Sequence, residues 1–581
     1  MSGNLGILGR RLSTITGRQR VRNGWTCRSC RVSQMQRKLF STSAALREVV
    51  DKPYYVSTPI FYVNSSPHVG HLYSMLIADV LKRWQVLKGK PAILSTGTDE
   101  HGSKVQQAAQ LQELHPKALC DANSKAFRDL ADKASIDYDF FIRTTDPEHK
   151  EAVEYFWNRL KEGGYIYESK HEGWYSVSDE TYFPADAIRT HVSPMTGEPY
   201  MASIETGSKV EWQEEHNYHF RLTAFKERLL KFYEENPEFV VPRNRYSEVI
   251  RWVKNNLEDL SISRPRSRCE WGIPVPVDPE QVIYVWVDAL INYITVAGYP
   301  IWPPGSEHTK GWPADVHVVG KDIVRFHGVY WPALLMALDL PLPKTVLCHG
   351  HWLMNKQKMS KSVGNVVNPF FAIERWGVDV MRYFLIYNGA MAKDSDYSNE
   401  LIVERYKKLQ RGLGNLLNRV VLPENWKVQH AVTEMCNKRL EIELPTSYIA
   451  QAEKADSLRD SVEEQMNTLQ PSSALQEIME VVYSVNEFLT NAKPWGMAEE
   501  EKYKLHQTIY VTAESLRIAG ILLQPFMPQK MNRLLDALGV SHEKRTFEFA
   551  KLQADKDYGV PFVQLEKGAA GSLFPFIPVE D

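Results

Sequence analysis

Cysteine is scarce in this 581-residue chain: Cys27, Cys30, Cys120, Cys269, Cys348 and Cys436 are all there are. So few thiols, so scattered, exclude a disulfide framework and argue for a reducing compartment. Long hydrophobic runs are missing too. No apolar stretch approaches the roughly 18 residues of a spanning helix, so no membrane span is expected. The chain has no GxxxxGK[ST], no GxGxxG after a strand and no HExxH, which sets aside P-loop enzymes, ordinary dinucleotide dehydrogenases and the commonest zinc proteases. Internal repeats and low-complexity tracts are also absent, and the length suggests three or four domains.

Acid is nearly missing from the first fifty residues, where ten basic side chains, from Arg10 to Arg47, face the single acid Glu48 amid Ser and Thr. This is the composition of a mitochondrial transit peptide, expected to be disordered and to occupy residues 1–46; the competing reading is a basic nucleic-acid-binding arm. Cys27 and Cys30 resemble half of a zinc site, but no second pair follows at a suitable distance. The leader contributes +9 to a formal charge of −2, which leaves −11 for the rest. A body this acidic cannot hold nucleic acid by overall charge. Any such contact must use local basic faces, such as Arg264 to Arg268, Lys356 to Lys361, or Lys407, Lys408, Arg411 and Arg419, and must weaken steeply with salt.

Two short motifs carry the chemistry. Pro67-His68-Val69-Gly70-His71 follows the β-rich run Tyr54–Tyr62 and precedes apolar residues at helix spacing, Leu72, Met75, Leu76, Val80 and Leu81, stopped by Gly89. That is a strand, a turn and a helix start, and a helix N-terminus offers backbone N–H groups and positive dipole to a phosphate chain. His68 and His71 would donate to phosphate oxygens, while Gly70 would let a flat base approach the backbone. Alone, the string reads as two histidines at a surface turn. The second motif, Lys358-Met359-Ser360-Lys361-Ser362, lies in a Lys- and Ser-rich stretch. Its lysines could close over a triphosphate and offset charge as pyrophosphate leaves.

Strands near Tyr54–Thr58 and Ala92–Thr96, then Val282–Trp286, Val316–Val319 and Thr345–Cys348, alternate with helical patterns. This predicts an α/β parallel sheet with helices on both faces. His68, Asp99, Lys321 and His349 all fall just past a predicted strand, where ligands sit in such sheets. From Tyr397 onward the amphipathic runs Leu401–Val421 and Ser472–Leu489 predict an α-helical bundle.

The two motifs together resemble the signature of class I aminoacyl-tRNA synthetases. The strings Tyr62-Val63-Asn64, Gly97-Thr98-Asp99-Glu100-His101-Gly102, Tyr284-Val285-Trp286-Val287-Asp288-Ala289 and Gly320-Lys321-Asp322-Ile323 resemble the methionyl branch, mitochondrial type. The resemblance covers nearly everything after residue 50. It implies a Rossmann-like sheet in two halves, 51–150 and 263–350, split by a connective insertion at 151–262. A loop and stem-contact region at 351–396, a helical anticodon-binding domain at 397–565 and a tail at 566–581 would follow.

The implied activity is ATP-dependent ligation of L-methionine to mitochondrial tRNA(Met) through methionyl-adenylate, in the matrix, by a monomer using ATP with Mg²⁺. His68, His71, Lys358 and Lys361 would be catalytic, with Gly70, His349, Ser360 and Ser362 also at the ATP. Ile60, Tyr62, Asp99, Arg264, Trp286, Ala289, Tyr293, His327 and Trp331 would hold methionine, with Leu290 where the family usually has Pro. Aromatic rings suit a polarizable thioether. Asn415, Arg419, Pro494 and Trp495 would read the anticodon, since Asn and Arg can bond base edges and indole can stack. Many relatives build a zinc knuckle on cysteines in the insertion. Here Ser176 and Asp179 stand at the first pair and His191-Val192-Ser193-Pro194 lacks the second, so no metal is expected, with His171 and His191 the remaining candidate ligands. The insertion is too short for a hydrolytic editing domain. A catalytically inert tRNA-binding relative is the alternative.

Overall fold

Alternating burial along short strands builds the centre of the molecule. In the computed structural model, which describes residues 52–581 except 180, 194–195, 205, 303–309, 355, 360–364, 438–444, 566–571 and 578–581, seven strands form one parallel sheet. They are β1 (Tyr54–Ser57), β2 (Phe61–Tyr62), β3 (Ala92–Asp99), β4 (Phe140–Arg143), β5 (Val240–Val241), β6 (Val316–Gly320) and β7 (Thr345–His349), in the order β5-β7-β6-β1-β3, with β2 and β4 both on β3. Tyr55 faces one core and Val56 the other, and Val346, Leu347 and Cys348 alternate in the same way. Both faces are therefore covered, as parallel sheets require. Chain order reverses between β1 and β6, which opens a crevice beyond their carboxyl ends. The expected leader lies outside the described residues.

One expected strand is not a strand of this sheet. Val282–Trp286 splits: Asp278–Ile283 pairs antiparallel in a separate three-stranded sheet, and Trp286 lies on a helix, Val285–Leu290. The run is buried on every side, and a continuous apolar run does not distinguish strand from buried helix. Conversely β4 and β5 are mostly apolar but only four and two residues long, too short to show a strand period, and are not among the predicted strands. The inserted segment is built on a long antiparallel pair, Ile166–Ser176 with Glu211–Phe220.

The helices that matter below are α1 (Val69–Leu87), α2 (Pro147–Glu162), α3 (Val285–Leu290), α4 (Val378–Asn388), α5 (Asn415–Val421), α6 (Pro471–Ala492), α7 (Lys502–Leu522) and α8 (Pro528–Leu538). The expected run Leu401–Val421 is helical throughout, though it widens into a π turn at Gln410–Gly414 before α5. The core on one sheet face continues without a break from Val56, Val316 and Leu347 through α1 into the C-terminal helices.

At that junction Arg382 of α4 and Asp79 of α1 form a fully buried ion pair, 2.5 Å apart. Arg382 also donates to the carbonyls of Pro525 and Phe526 between α7 and α8, at 2.8 and 3.0 Å, and to those of Ala134 and Ser135. All five guanidinium N–H groups thus have acceptors. Asp79 in turn accepts from Arg83 and from the Asp137 backbone N–H. Removing one partner of such a pair leaves the other buried and unsatisfied. Arg382→Met is expected to lose about 3–5 kcal/mol of stability, read from the urea unfolding midpoint; a loss below about 1 kcal/mol would show that the junction does not depend on it.

Candidate active site

A single cavity of about 320 Å³ opens beyond the carboxyl ends of β1, β3, β6 and β7. It begins at the N-terminus of α1. His68 is the N-cap residue, extended at φ −130°, and its Nδ1 accepts from the Gly70 N–H at 3.0 Å. His71 reaches back so that its own Nδ1 accepts from the His68 N–H at 3.1 Å, and the two rings stack 3.7 Å apart. This is a capping box made of imidazoles. Because both Nδ1 atoms are acceptors, both rings carry their proton on Nε2, which points away from the cap as a donor. A Cβ at position 70 would sit 2.9 Å from the His68 ring, so glycine is required there for the histidine itself to fold over. Burial, and then the neighbouring His68, push the His71 pKa well below its ordinary value; the ring is a neutral donor.

His349, at the end of β7, lines the same cavity, but both its nitrogens are engaged: Nδ1 donates to the Gly350 carbonyl and Nε2 pairs with Ser74 Oγ at 2.8 Å. Of the second motif, Lys358 lies on the short strand Gln357–Lys358 and Met359 lines the cavity. The Lys358 side chain and Ser360, Lys361 and Ser362 lie outside the described residues.

The apolar end is walled by Ile60, Tyr62, Trp286, Ala289, Leu290, Tyr293 and His327. Trp286 lies flat on Phe326, with ring centres 3.7 Å apart, and meets the edge of Tyr62. His327 donates from Nδ1 to the Ile323 carbonyl and accepts at Nε2 from the Tyr293 hydroxyl at 2.7 Å, so a neutral ring faces the cavity. Burial lowers its pKa to about 4. Asp99, at the carboxyl end of β3, supplies a buried carboxylate to the wall.

Two expected residues do not line this cavity. Trp331 is fully buried beside Tyr293, with its indole N–H toward His317. Arg264 is buried in a cage of Tyr175, Tyr182 and Tyr284 rings and donates to the Ser261 and Ser263 carbonyls. Other wall residues escaped sequence reasoning. Lys104 stands 4.9 Å above the Tyr62 ring, Asp322 bonds His351, and the insertion contributes Asp179, Thr181, Phe183 and Thr206. Asp322 stands in the string Gly320-Lys321-Asp322-Ile323, just past β6, which is a local signal; the insertion residues arrive through pairing that no local pattern reveals.

Around Ser176 and Asp179, hydrogen bonds close the turns. Ser176 Oγ accepts from the Asp179 N–H, and the Asp179 carboxylate accepts from Thr206 and Ser208 hydroxyls at 2.6 and 3.0 Å. His171 pairs with His219, and His191 takes a bond from Arg189. Among the described residues no three His, Cys, Asp or Glu side chains are grouped as metal ligands.

In the C-terminal helices, Lys493 ends α6 in a left-handed conformation and a 3₁₀ turn, Pro494–Gly496, follows. Trp495 is 55% exposed there, Pro494 is buried beneath it, and the Arg419 guanidinium of α5 lies 5.2 Å from the indole. Asn415, one turn earlier on the same face, is exposed.

The buried imidazoles give the stability a definite pH dependence. His71, His317, His327 and His349 all have folded pKa values below the ordinary 6.5, in each case chiefly by burial. Their neutral state is favoured by folding, so their contribution is complete above about pH 6.5. It is lost as pH falls through 6.5 toward the value of about 4 of His327 and His349. Urea unfolding at stepped pH is expected to show a plateau from about pH 7 to 8 and a steady fall in midpoint below about 6.5; a midpoint that holds down to about pH 4.5 would contradict neutral burial.

Comparisons with known proteins agree with this geometry. Residues 54–421 match the family model of class I tRNA synthetases (M), and residues 448–567 that of the anticodon binding domain of methionyl tRNA ligase. The chain is 54% identical to a probable mitochondrial methionine–tRNA ligase of Neurospora crassa over 557 residues, 93% of this chain and 90% of that one. It is 40% identical to the mitochondrial methionine–tRNA ligase of Candida albicans, covering 90% and 96%. The Mycobacterium tuberculosis methionyl-tRNA synthetase, solved in complex with methionyl-adenylate, superimposes with a TM-score of 0.80 at 38% identity, over 90% of this chain and all of that one. The chain belongs to the methionyl family of class I aminoacyl-tRNA synthetases.

Proposed function

We propose that the chain ligates L-methionine to mitochondrial tRNA(Met) through a methionyl-adenylate. The observation that carries the reading is that one cavity of about 320 Å³ is lined both by the stacked His68 and His71 and by an aromatic wall of Tyr62, Trp286 and Tyr293. Methionine would lie with its side chain among Tyr62, Trp286, Ala289, Tyr293 and His327 and its ammonium toward Asp99. Its carboxylate then attacks the α-phosphate of ATP, bound as the magnesium complex, and pyrophosphate leaves. His68 and His71 hydrogen-bond the phosphates without adding charge. Lys358 and Lys361 supply the positive charge that the leaving pyrophosphate needs, with Ser360, Ser362, Gly70 and His349 shaping the nucleotide site. The ribose hydroxyl at the tRNA end next attacks the adenylate, while Asn415, Arg419 and Trp495, supported by Pro494, engage the anticodon. No side chain is needed as a covalent nucleophile; positioning and electrostatics carry both steps.

The two mitochondrial relatives named above and the arginine-rich leader support a mitochondrial enzyme, and we place it in the matrix, as a monomer without structural zinc. The domain limits 51–150, 151–262, 263–350, 351–396 and 397–565 are our assignment, with 1–46 as leader and 566–581 as tail; the central sheet takes one strand, β5, from within 151–262.

Protein lacking the first 46 residues is expected to catalyse ATP–pyrophosphate exchange with methionine and not with cysteine or leucine. Lys361→Ala should reduce it about 100-fold or more, as loss of a transition-state charge contact does. No exchange with any of the three amino acids would leave an inert tRNA-binding relative as the reading to pursue. Trp495→Ala should raise KM for tRNA(Met) about 5- to 100-fold, the worth of one base stack, while leaving exchange unchanged; an unchanged KM would remove the indole from anticodon recognition.

A further inference from the structure

Helix α3 carries Trp286 and Ala289 on the cavity wall, yet it is only six residues long and its N-terminus has no side-chain cap. A helix this short has no stability of its own, so something outside it must fix its rotation. Asp288 lies on the same helix but is not among the cavity-lining residues, and it is 1% exposed. Its Oδ2 accepts from His101 Nδ1 and its Oδ1 from His149 Nε2, both at 2.7 Å, and both imidazoles are buried. Burial alone would raise the Asp288 carboxyl, but charge and hydrogen bonds from the two histidines outweigh it and hold the pKa at about 2, so the group is ionised at every working pH.

The two partners belong to different parts of the site. His101 follows Asp99 by two residues and packs against Trp271, whose indole N–H donates to the Glu100 carbonyl at 2.5 Å. His149 sits in the first turn of α2 and meets Thr295 at its other nitrogen. The carboxylate therefore bridges the helix bearing the aromatic wall to the strand end bearing Asp99, with α2 as a fixed third point. Neither histidine lines the cavity.

We propose that Asp288, held between His101 and His149, is a positioning residue that sets the spacing between the ammonium-binding and side-chain-binding halves of the amino-acid pocket. The inference rests on the synthetase reading above. A bound amino acid must satisfy both halves at once, so a shift of about 1 Å between them should cost on the order of 10–100-fold in use of that substrate. ATP binds at the α1 end, which the bridge does not touch.

The test is ATP–pyrophosphate exchange on the full mature chain with Asp288→Asn, His149→Leu and His149→Gln, measuring KM for methionine and for ATP separately alongside the thermal midpoint. Asn places an N–H₂ where one histidine N–H must bond, and Leu removes a donor. Gln keeps an N–H donor near the place of Nε2. The expected result is a KM for methionine raised about 10-fold or more in Asp288→Asn and His149→Leu, with KM for ATP within about twofold and with His149→Gln close to wild type. A purely structural role would lower the thermal midpoint in all three without separating the two KM values. Unchanged KM for methionine, or parallel rises for methionine and ATP, would overturn the inference alone. Absence of methionine-dependent exchange in the wild type would overturn the functional reading and this inference with it. Should Asp288→Asn not fold, the His149 pair decides by the same criteria.

Discussion

The contact on which the rest of the molecule depends is the buried pair of Asp79 and Arg382. One guanidinium supplies all five of its donors to three parts of the chain: α1, the turn at Ala134 and Ser135, and the connection between α7 and α8. Such a group is costly to bury and tolerable only when every donor is met. Its geometry therefore specifies how the sheet and the C-terminal helices meet. The same helix that carries Asp79 begins at His68. Ten residues of α-helix, about 15 Å, connect this junction to the His68 end of the cavity.

Fixing the ends of secondary elements is a recurring device here. Histidine side chains cap α1, a carboxylate between two imidazoles fixes α3, and hydroxyls close the turns at Ser176–Asp179 and Thr206. In each case a polar side chain that sequence inspection would credit to a ligand is first occupied by the protein's own backbone or by a neighbour. His349 is the clearest example, with both nitrogens bound inside the fold.

Much of this was legible in the sequence because the signals are local. The strand-turn-helix around His68, the four sheet strands with apolar runs, and the exit of Trp495 after Pro494 all rest on neighbours in the chain. The misplacement of Trp286 on a strand shows where local reading stops: a segment buried on all sides has no period to betray it. Arg264 shows a second limit. A basic residue between Ser263 and Pro265, at the start of a run of three arginines, reads as a surface or substrate contact, yet three tyrosines from separate segments enclose it. The role of Gly70 was legible as a need for a missing side chain, but the neighbour requiring it is the His68 ring.

The paired imidazoles at the start of α1 have one more implication. With both Nδ1 atoms committed to backbone N–H groups, neither ring has to choose a rotamer or gain a proton when a phosphate chain arrives. The ordering was completed when the helix formed, so on the proposed reading nucleotide capture at this end would involve no exchange of protons with the solvent. Swings in the acidity of the surrounding compartment, at and above neutrality, would reach the site only through the ionisation of its substrates.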